Sequence, residues 1–317
     1  MIRSSIADIL IHYRPVFHVV GVGANSIDFV YRLPSWPRPE AGLAKLPVNE
    51  RSERCGGQTA TAMAACARLG LQAKYVGVVG ADEYGSRISA RLASLGVDVS
   101  GIVTRDGVAN ASAAILIDER SGERIVLWDR VPGLALRFDE LPRRAISTAR
   151  AVHVDDVDED AAVATARLAQ DAGVPVTTDF DRVTTYTGEL LSLVTHPILA
   201  ESVPPELTGE SDVERALRAL RRRHKGLLTV TLGPQGAAAL DGDRFILIPG
   251  HRVRAVDTTG AGDVFRGGFI YGLVQGWDAE RIVRFANAAA AVSCTRPGAI
   301  DGAPALADVE ALLVAED

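Results

Sequence analysis

Cysteine is scarce in this chain: Cys55, Cys66 and Cys294 are the only three in 317 residues. An odd number without metal-ligand spacing excludes a disulfide framework and a cysteine-based metal site, and leaves reduced thiols. Cys66 falls in an Ala-rich helical pattern and reads as core. No run reaches the roughly 18 apolar residues of a membrane helix. The opening MIRSSIADILIHYRP lacks a long apolar region followed by a small-residue cleavage site, so the chain reads as cytoplasmic and free of membrane. Positive charge is also in deficit, with 34 Lys and Arg against 40 Asp and Glu. Binding to a nucleic-acid backbone needs clustered cations, and the one basic run, Arg218 to Lys225, lies in a helical pattern as a solvated face. No GxGxxG follows the first strand-like run, which argues against a dinucleotide-binding enzyme.

What the chain does have is alternation. Short apolar runs at 16–23, 73–80, 151–157, 175–180, 196–200 and 226–233 are separated by helical patterns at 59–70, 83–96, 159–173 and 212–224. This predicts an α/β fold with a mainly parallel sheet covered by helices on both faces. Ligands then bind beyond the carboxyl ends of the strands. Two stretches leave the pattern: residues 28–52 are rich in Pro and charge, and 111–128 reads as a hairpin turning about Ser121 and Gly122. A second hairpin is expected about Asp241 and Gly242. With no internal repeat or linker, residues 1–317 read as one domain carrying two insertions.

The segment VDTTGAGDVFRGGF (256–269) puts a carboxylate behind a turn of small residues at the start of a helix. The backbone N–H groups of Gly260, Ala261 and Gly262 can close around a phosphate, helped by the helix dipole. Asp263 could then take the proton of an attacking hydroxyl, although a lone Gly-Asp pair serves equally as a helix start. A second glycine turn, CGGQTATAMAACARLG (55–70), also opens a helix; Gly56 and Gly57 allow close approach of a ligand or simply a tight turn. In GVGANSID (21–28), Asp28 leaves strand one where it could accept hydrogen bonds from two vicinal hydroxyls, and Asn25 is either a ligand or a turn former. VGADEYG (79–85) reads as helix initiation with Asp82 near the N-terminus.

Together these segments resemble the ribokinase-like (PfkB) carbohydrate kinases over roughly residues 16–312. The resemblance implies that Asp263 is the catalytic base and that the Gly260-Ala261-Gly262 turn is the anion hole. It assigns Asp28, Gly56, Gly57, Asn25 and Thr61 to the acceptor sugar, with Thr61 and Gln58 departing from the Asn and Lys of ribokinases proper. Thr231, Gly233 and Gly236 in TLGPQGA, and Asn287, would bind ATP. Asp257 and Thr259 match positions that hold a monovalent cation, usually K+; the alternative reading of Asp257 is a residue that only fixes its loop by hydrogen bonds. The family's NxxE motif for Mg2+ and ATP is absent, since Ala200 and Val203 occupy its ends; Glu201 is the substitute, and Asp179 or Arg182 could face phosphate or sugar. The two insertions correspond to a small β-sheet lid that often forms a homodimer contact. The implied activity is ATP-dependent phosphorylation of a keto sugar or sugar derivative. A nucleoside kinase, disfavoured by the few aromatics available to stack a base, and a catalytically silent sugar sensor are the alternatives.

Overall fold

The computed structural model describes residues 17–38, 45–121 and 123–315. Its strands are β1 Val19–Val22, β2 Ser26–Leu33, β3 Glu50–Gly56, β4 Ala73–Gly80, β5 Asp98–Arg105, β6 Ser112–Asp118, β7 Arg124–Asp129, β8 Ala151–Asp155, β9 Val176–Asp179, β10 Ile198–Ala200, β11 Leu228–Thr231, β12 Ala237–Asp241 and β13 Arg244–Ile248. The main sheet runs β5-β4-β1-β8-β9 and continues through bridges Thr177–His196 and Phe180–Leu199 into β10-β11-β12-β13. It is parallel from β5 to β11; β12 and β13 then form an antiparallel hairpin. Gly242, with φ +56°, makes the tight turn there.

Alternation of side chains along the central strands divides the core in two. Val20, Val22, Val76, Val78, Val152 and Val154 point to one face, where they pack with the helices Arg143–Thr148, Glu159–Asp171, Thr187–Leu193 and Val213–Arg221. Val19, Tyr75 and Ala151 point to the other, covered by Gln58–Arg68, Glu83–Ser94 and Ala261–Gln275. The helix Ala279–Cys294 lies beside Ala261–Gln275. Strands buried on both faces need apolar residues throughout, which is why β1 and β4 read clearly in the sequence.

Two strands differ from the sequence reading. β5 is an additional edge strand, half-exposed and carrying polar residues. β1 stops at Val22, and Asp28 belongs to β2 instead of to the end of strand one. The break has a cause: Asp155 at the end of β8 accepts hydrogen bonds from the Ala24 N–H (2.7 Å) and the Thr59 hydroxyl (2.7 Å), so the chain turns over it.

A separate sheet, ordered β3-β2-β6-β7, stands apart from the main one. β2 pairs parallel with β6 through Asp28–Ala113, Val30–Ile115 and Arg32–Ile117, which joins the two inserted stretches. The connection from β2 to β3 includes residues 39–44, outside the described residues, as is Gly122 in the β6–β7 turn. Among the described residues no helix is long and apolar enough to cross a membrane.

Candidate active site

Two glycine turns bring two helices to one point. The helix Gln58–Arg68 begins after Gly57 (φ +99°), and Ala261–Gln275 begins after Gly260 (φ +76°). They pack closely because Gly267 faces Ala65: a Cβ on Gly267 would lie 2.5 Å from that of Ala65. The turns therefore meet, and a Cβ on Gly260 would lie 2.5 Å from the Ala299 Cβ and 3.3 Å from the Thr61 methyl. Only a residue without a side chain fits a positive φ in that space. The N–H groups of Gly262 and Asp263, in the first helical turn, have no intrahelical acceptor and are available to an anion.

Asp263 is half-buried at this helix start. Burial holds its carboxyl well above the ordinary carboxylate range; the nearby Arg266 guanidinium pulls it back, and Asp181 and Asp155 push it up again. Asp179 at the end of β9 is fully buried and raised for the same first reason. Arg266 lies between them, ion-paired with Asp179 and 3.6 Å from Asp181. Asp181 accepts a hydrogen bond from the Gln58 amide at 2.9 Å, tying the β9 loop to the other glycine turn.

On β2 of the small sheet Asp28 is 5% exposed, and burial raises it to about 6 against a hydrogen bond from the Ser26 hydroxyl (2.6 Å). Gly56 lies directly against it, so that a Cβ there would fall 2.1 Å from Asp28 Oδ2. Asp156, raised to about 6 mainly by burial, takes the N–H groups of Asp181 and Arg182 at 3.0 and 3.3 Å. The Arg182 guanidinium sits 5.7 Å from the Trp128 ring centre on β7, bridging the main fold and the small sheet.

Several candidates are placed in supporting positions. Asn25 turns its amide inward, donating to the Tyr75 hydroxyl (2.9 Å) and the Val78 carbonyl (2.8 Å), while Asn110 donates to its oxygen. It fixes the turn after β1. Thr61 is fully buried, its hydroxyl without a hydrogen-bond partner. Asn287 is buried and donates to the carbonyls of Ile248 and Pro249, anchoring the chain after β13. Thr231 ends β11, and Gly233 (φ +55°) and Gly236 (φ +99°) bound the turn that follows. Asp257 accepts the N–H groups of Thr259 and Gly298, both at 2.9 Å, so it does fix its loop. The Thr259 hydroxyl is buried without a partner. Glu201 is exposed in the turn after β10. Among the described residues no cluster of three His, Cys, Asp or Glu could hold a metal ion.

The small sheet reaches the anion turn. Arg32 of β2 donates to the Val256 carbonyl (3.2 Å) and Arg124 of β7 to the Thr258 hydroxyl (2.7 Å), beside a cavity of about 420 Å³ also lined by Ile117 and Thr259. Arg266, Asp155 and Asp156 were not singled out in the sequence. Arg266 had a signal: it is the one cation in the otherwise apolar and glycine-rich AGDVFRGGFIYGLVQ.

The chain is similar to known proteins over most of its length. Residues 17–306 match the family described as pfkB family carbohydrate kinase. Fructokinase-1 of Zea mays is 31% identical across 93% of this chain and 97% of its own length. The ribokinase of Bacillus subtilis is 30% identical across 92% and 98%. Among solved structures, Arabidopsis thaliana ribokinase complexed with ribose and ATP superposes with a TM-score of 0.81 at 25% identity, covering 94% of this chain and 98% of that one. The ribokinase of Thermotoga maritima gives 0.81 at 26%, covering 94% and 99%. The chain belongs to the pfkB family of carbohydrate kinases.

Proposed function

We propose that this ATP-dependent sugar kinase phosphorylates a hydroxyl of a small keto sugar or sugar derivative held between Asp28 and Asp263. The convergence of two glycine turns carries the reading, because it sets a carboxylate and an exposed set of N–H groups at one point. Asp28 accepts hydrogen bonds from vicinal hydroxyls of the acceptor; Gly56 makes the room its carboxyl occupies, and Gly57 lets the helix start close against the Asn25 backbone. Asp263 takes the proton of the attacking hydroxyl. The Ala261 N–H is taken by the Thr258 carbonyl at 3.3 Å, so the N–H groups of Gly262 and Asp263 receive the charge that develops on the transferred phosphoryl group. The open turn from Gly233 to Gly236, following Thr231, suits the nucleotide phosphates.

With no metal-holding cluster among the described residues, Mg2+ fits this site as an ion carried by the nucleotide through water, with Glu201 as the candidate side chain for it. When bound it neutralises phosphate charge. The unpartnered Thr259 hydroxyl and the remaining lone pairs of Asp257 fit a monovalent cation such as K+. The small sheet acts as a lid, its hold on Val256 and Thr258 linking closure to the anion turn, and its exposed outer strand β7 suits a homodimer contact. The free thiols of Cys55, Cys66 and Cys294 suit a reducing, cytoplasmic location.

The test is an ADP-release assay with Mg2+ and a broad panel of free sugars, sugar derivatives and nucleosides. At least one free sugar or sugar derivative should drive turnover. Silence across the panel, with ATP binding intact, would make the chain a sensor; a nucleoside as sole acceptor would move the substrate class.

A further inference from the structure

Arg266 lies one turn below Asp263 on the same helix and is 2% exposed. Its guanidinium folds back beneath the first turn, so that a Cβ on Gly262 would fall 2.6 Å from Nη1. It ion-pairs with Asp179 and lies near Asp181. Well-packed apolar residues often stabilise a core at least as well as a buried ion pair does, so stability alone is a weak reason for an arginine at this position. Its surroundings give a better one. Asp179 and Asp181 face it from β9 and the loop after it, Asp156 from the end of β8, and Asp263 from its own helix. Asp155 adds a further carboxylate near Asp263. His153 on β8 also faces Arg266; burial first, and the guanidinium second, lower it to about 3, so it adds no charge. Arg182 is turned to the Asp156 carbonyl (3.2 Å) and Gln58 to Asp181, leaving Arg266 as the fully buried cation in contact with Asp179. Two neighbouring carboxylates with no cation between them cannot both ionise in a buried site.

We propose that Arg266 is a positioning residue for the base: anchored by its ion pair with Asp179 beneath the anion turn, its guanidinium keeps Asp263 ionised and directed at the acceptor hydroxyl. The inference rests on Asp263 acting as base. A proton can move from the hydroxyl to Asp263 only if the carboxylate begins without one, and without the guanidinium burial and the charges of Asp181 and Asp155 would hold the proton on it.

The experiment separates the two ideas. Carboxyl carbons of Asp-labelled protein, free of nucleotide and sugar, are followed by NMR through a pH titration, with the Asp263 signal assigned by its loss in Asp263→Asn. In Arg266→Met the Asp263 midpoint should rise by about one pH unit or more, and Arg266→Lys should restore much of it. The acid limb of turnover should move the same way while ATP affinity holds, which a purely structural role would not produce. A folded Arg266→Met with an unmoved midpoint overturns the proposal. If that variant does not fold, Asp179→Asn decides: removing the carboxylate that pairs with the guanidinium must move the Asp263 midpoint, and no change overturns the proposal. A resonance that moves while the turnover limb stays fixed would contradict Asp263 as base and leave only the electrostatic pairing.

Discussion

Asp28 and Asp263 stand on supports that are built differently. Asp263 stands on a helix locked by Gly267 against Ala65 and by Gly268 against Ala286, with Phe265 and Phe269 buried beneath. Asp28 stands on a four-stranded sheet whose own core is the cluster Val30, Ala113, Ile115 and Ile117. Its outer strand β7 exposes Ile125, Val126, Leu127 and Trp128, the last to 64%. A close-packed helix holds its groups in place before any ligand arrives. A thin sheet with an open edge does not, and gains its order on closing over a ligand. The phosphate side should therefore govern turnover, and the sugar side acceptor affinity.

The largest expected effect lies on the phosphate side. Gly260→Ala should cut turnover about 100-fold or more, as loss of anion-hole geometry does. Gly276 at the other end of the same helix is its control: φ is +74° there and +76° at Gly260, but nothing lies within 4 Å of an added Cβ. Gly276→Ala should bring only backbone strain of about 1–2 kcal/mol, seen in the urea midpoint, with turnover kept. Equal turnover in both variants would break the comparison.

A smaller effect is expected on the sugar side. Asp28 loses its charge as pH falls through about 6, because burial holds its carboxyl there instead of near 3.8. Acceptor affinity, measured by calorimetry without ATP, should weaken as pH drops through that range. Asp28→Asn should bind the acceptor about tenfold or more weaker at neutral pH, the loss of a charge-assisted hydrogen bond, and should show little of that pH dependence. An unchanged pH profile in Asp28→Asn would remove Asp28 from sugar recognition. The smallest effect is kinetic softness: hydrogen exchange in 112–118 and 124–129 should slow on adding the acceptor, while that of 264–275 changes little. Protection confined to the helix would reverse the assignment of rigid and mobile sides.

The sequence makes the rigid side easier to read than the mobile one. β1, β4, β8 and β11 are near-continuous apolar runs because both faces are covered, and the two glycine turns announce helix starts. β5 escaped notice because an edge strand with one half-exposed face carries Asp98, Ser100 and Arg105. The break between β1 and β2 was hidden for another reason. It depends on Asp155, 131 residues from Ala24, and no local pattern encodes such a hydrogen bond. Asn25 reads in the sequence as a ligand or a turn former and Asn287 as a nucleotide contact; their hydrogen-bond partners Tyr75, Val78, Ile248 and Pro249 lie on distant strands and the loop after β13, where no local pattern shows them. Arg266 was legible in principle, as a lone cation on an apolar helix face, since a buried charge requires partners of opposite sign.

The central claim is that Asp263 acts on the proton and not on binding. Its most direct test is Asp263→Asn, with ATP and acceptor affinities from calorimetry set beside turnover from ADP release. Turnover should fall about 100-fold or more, in the range general-base assistance supplies, while both affinities and the unfolding midpoint stay close to wild type. Near-normal turnover in a folded variant that binds both ligands would contradict the account.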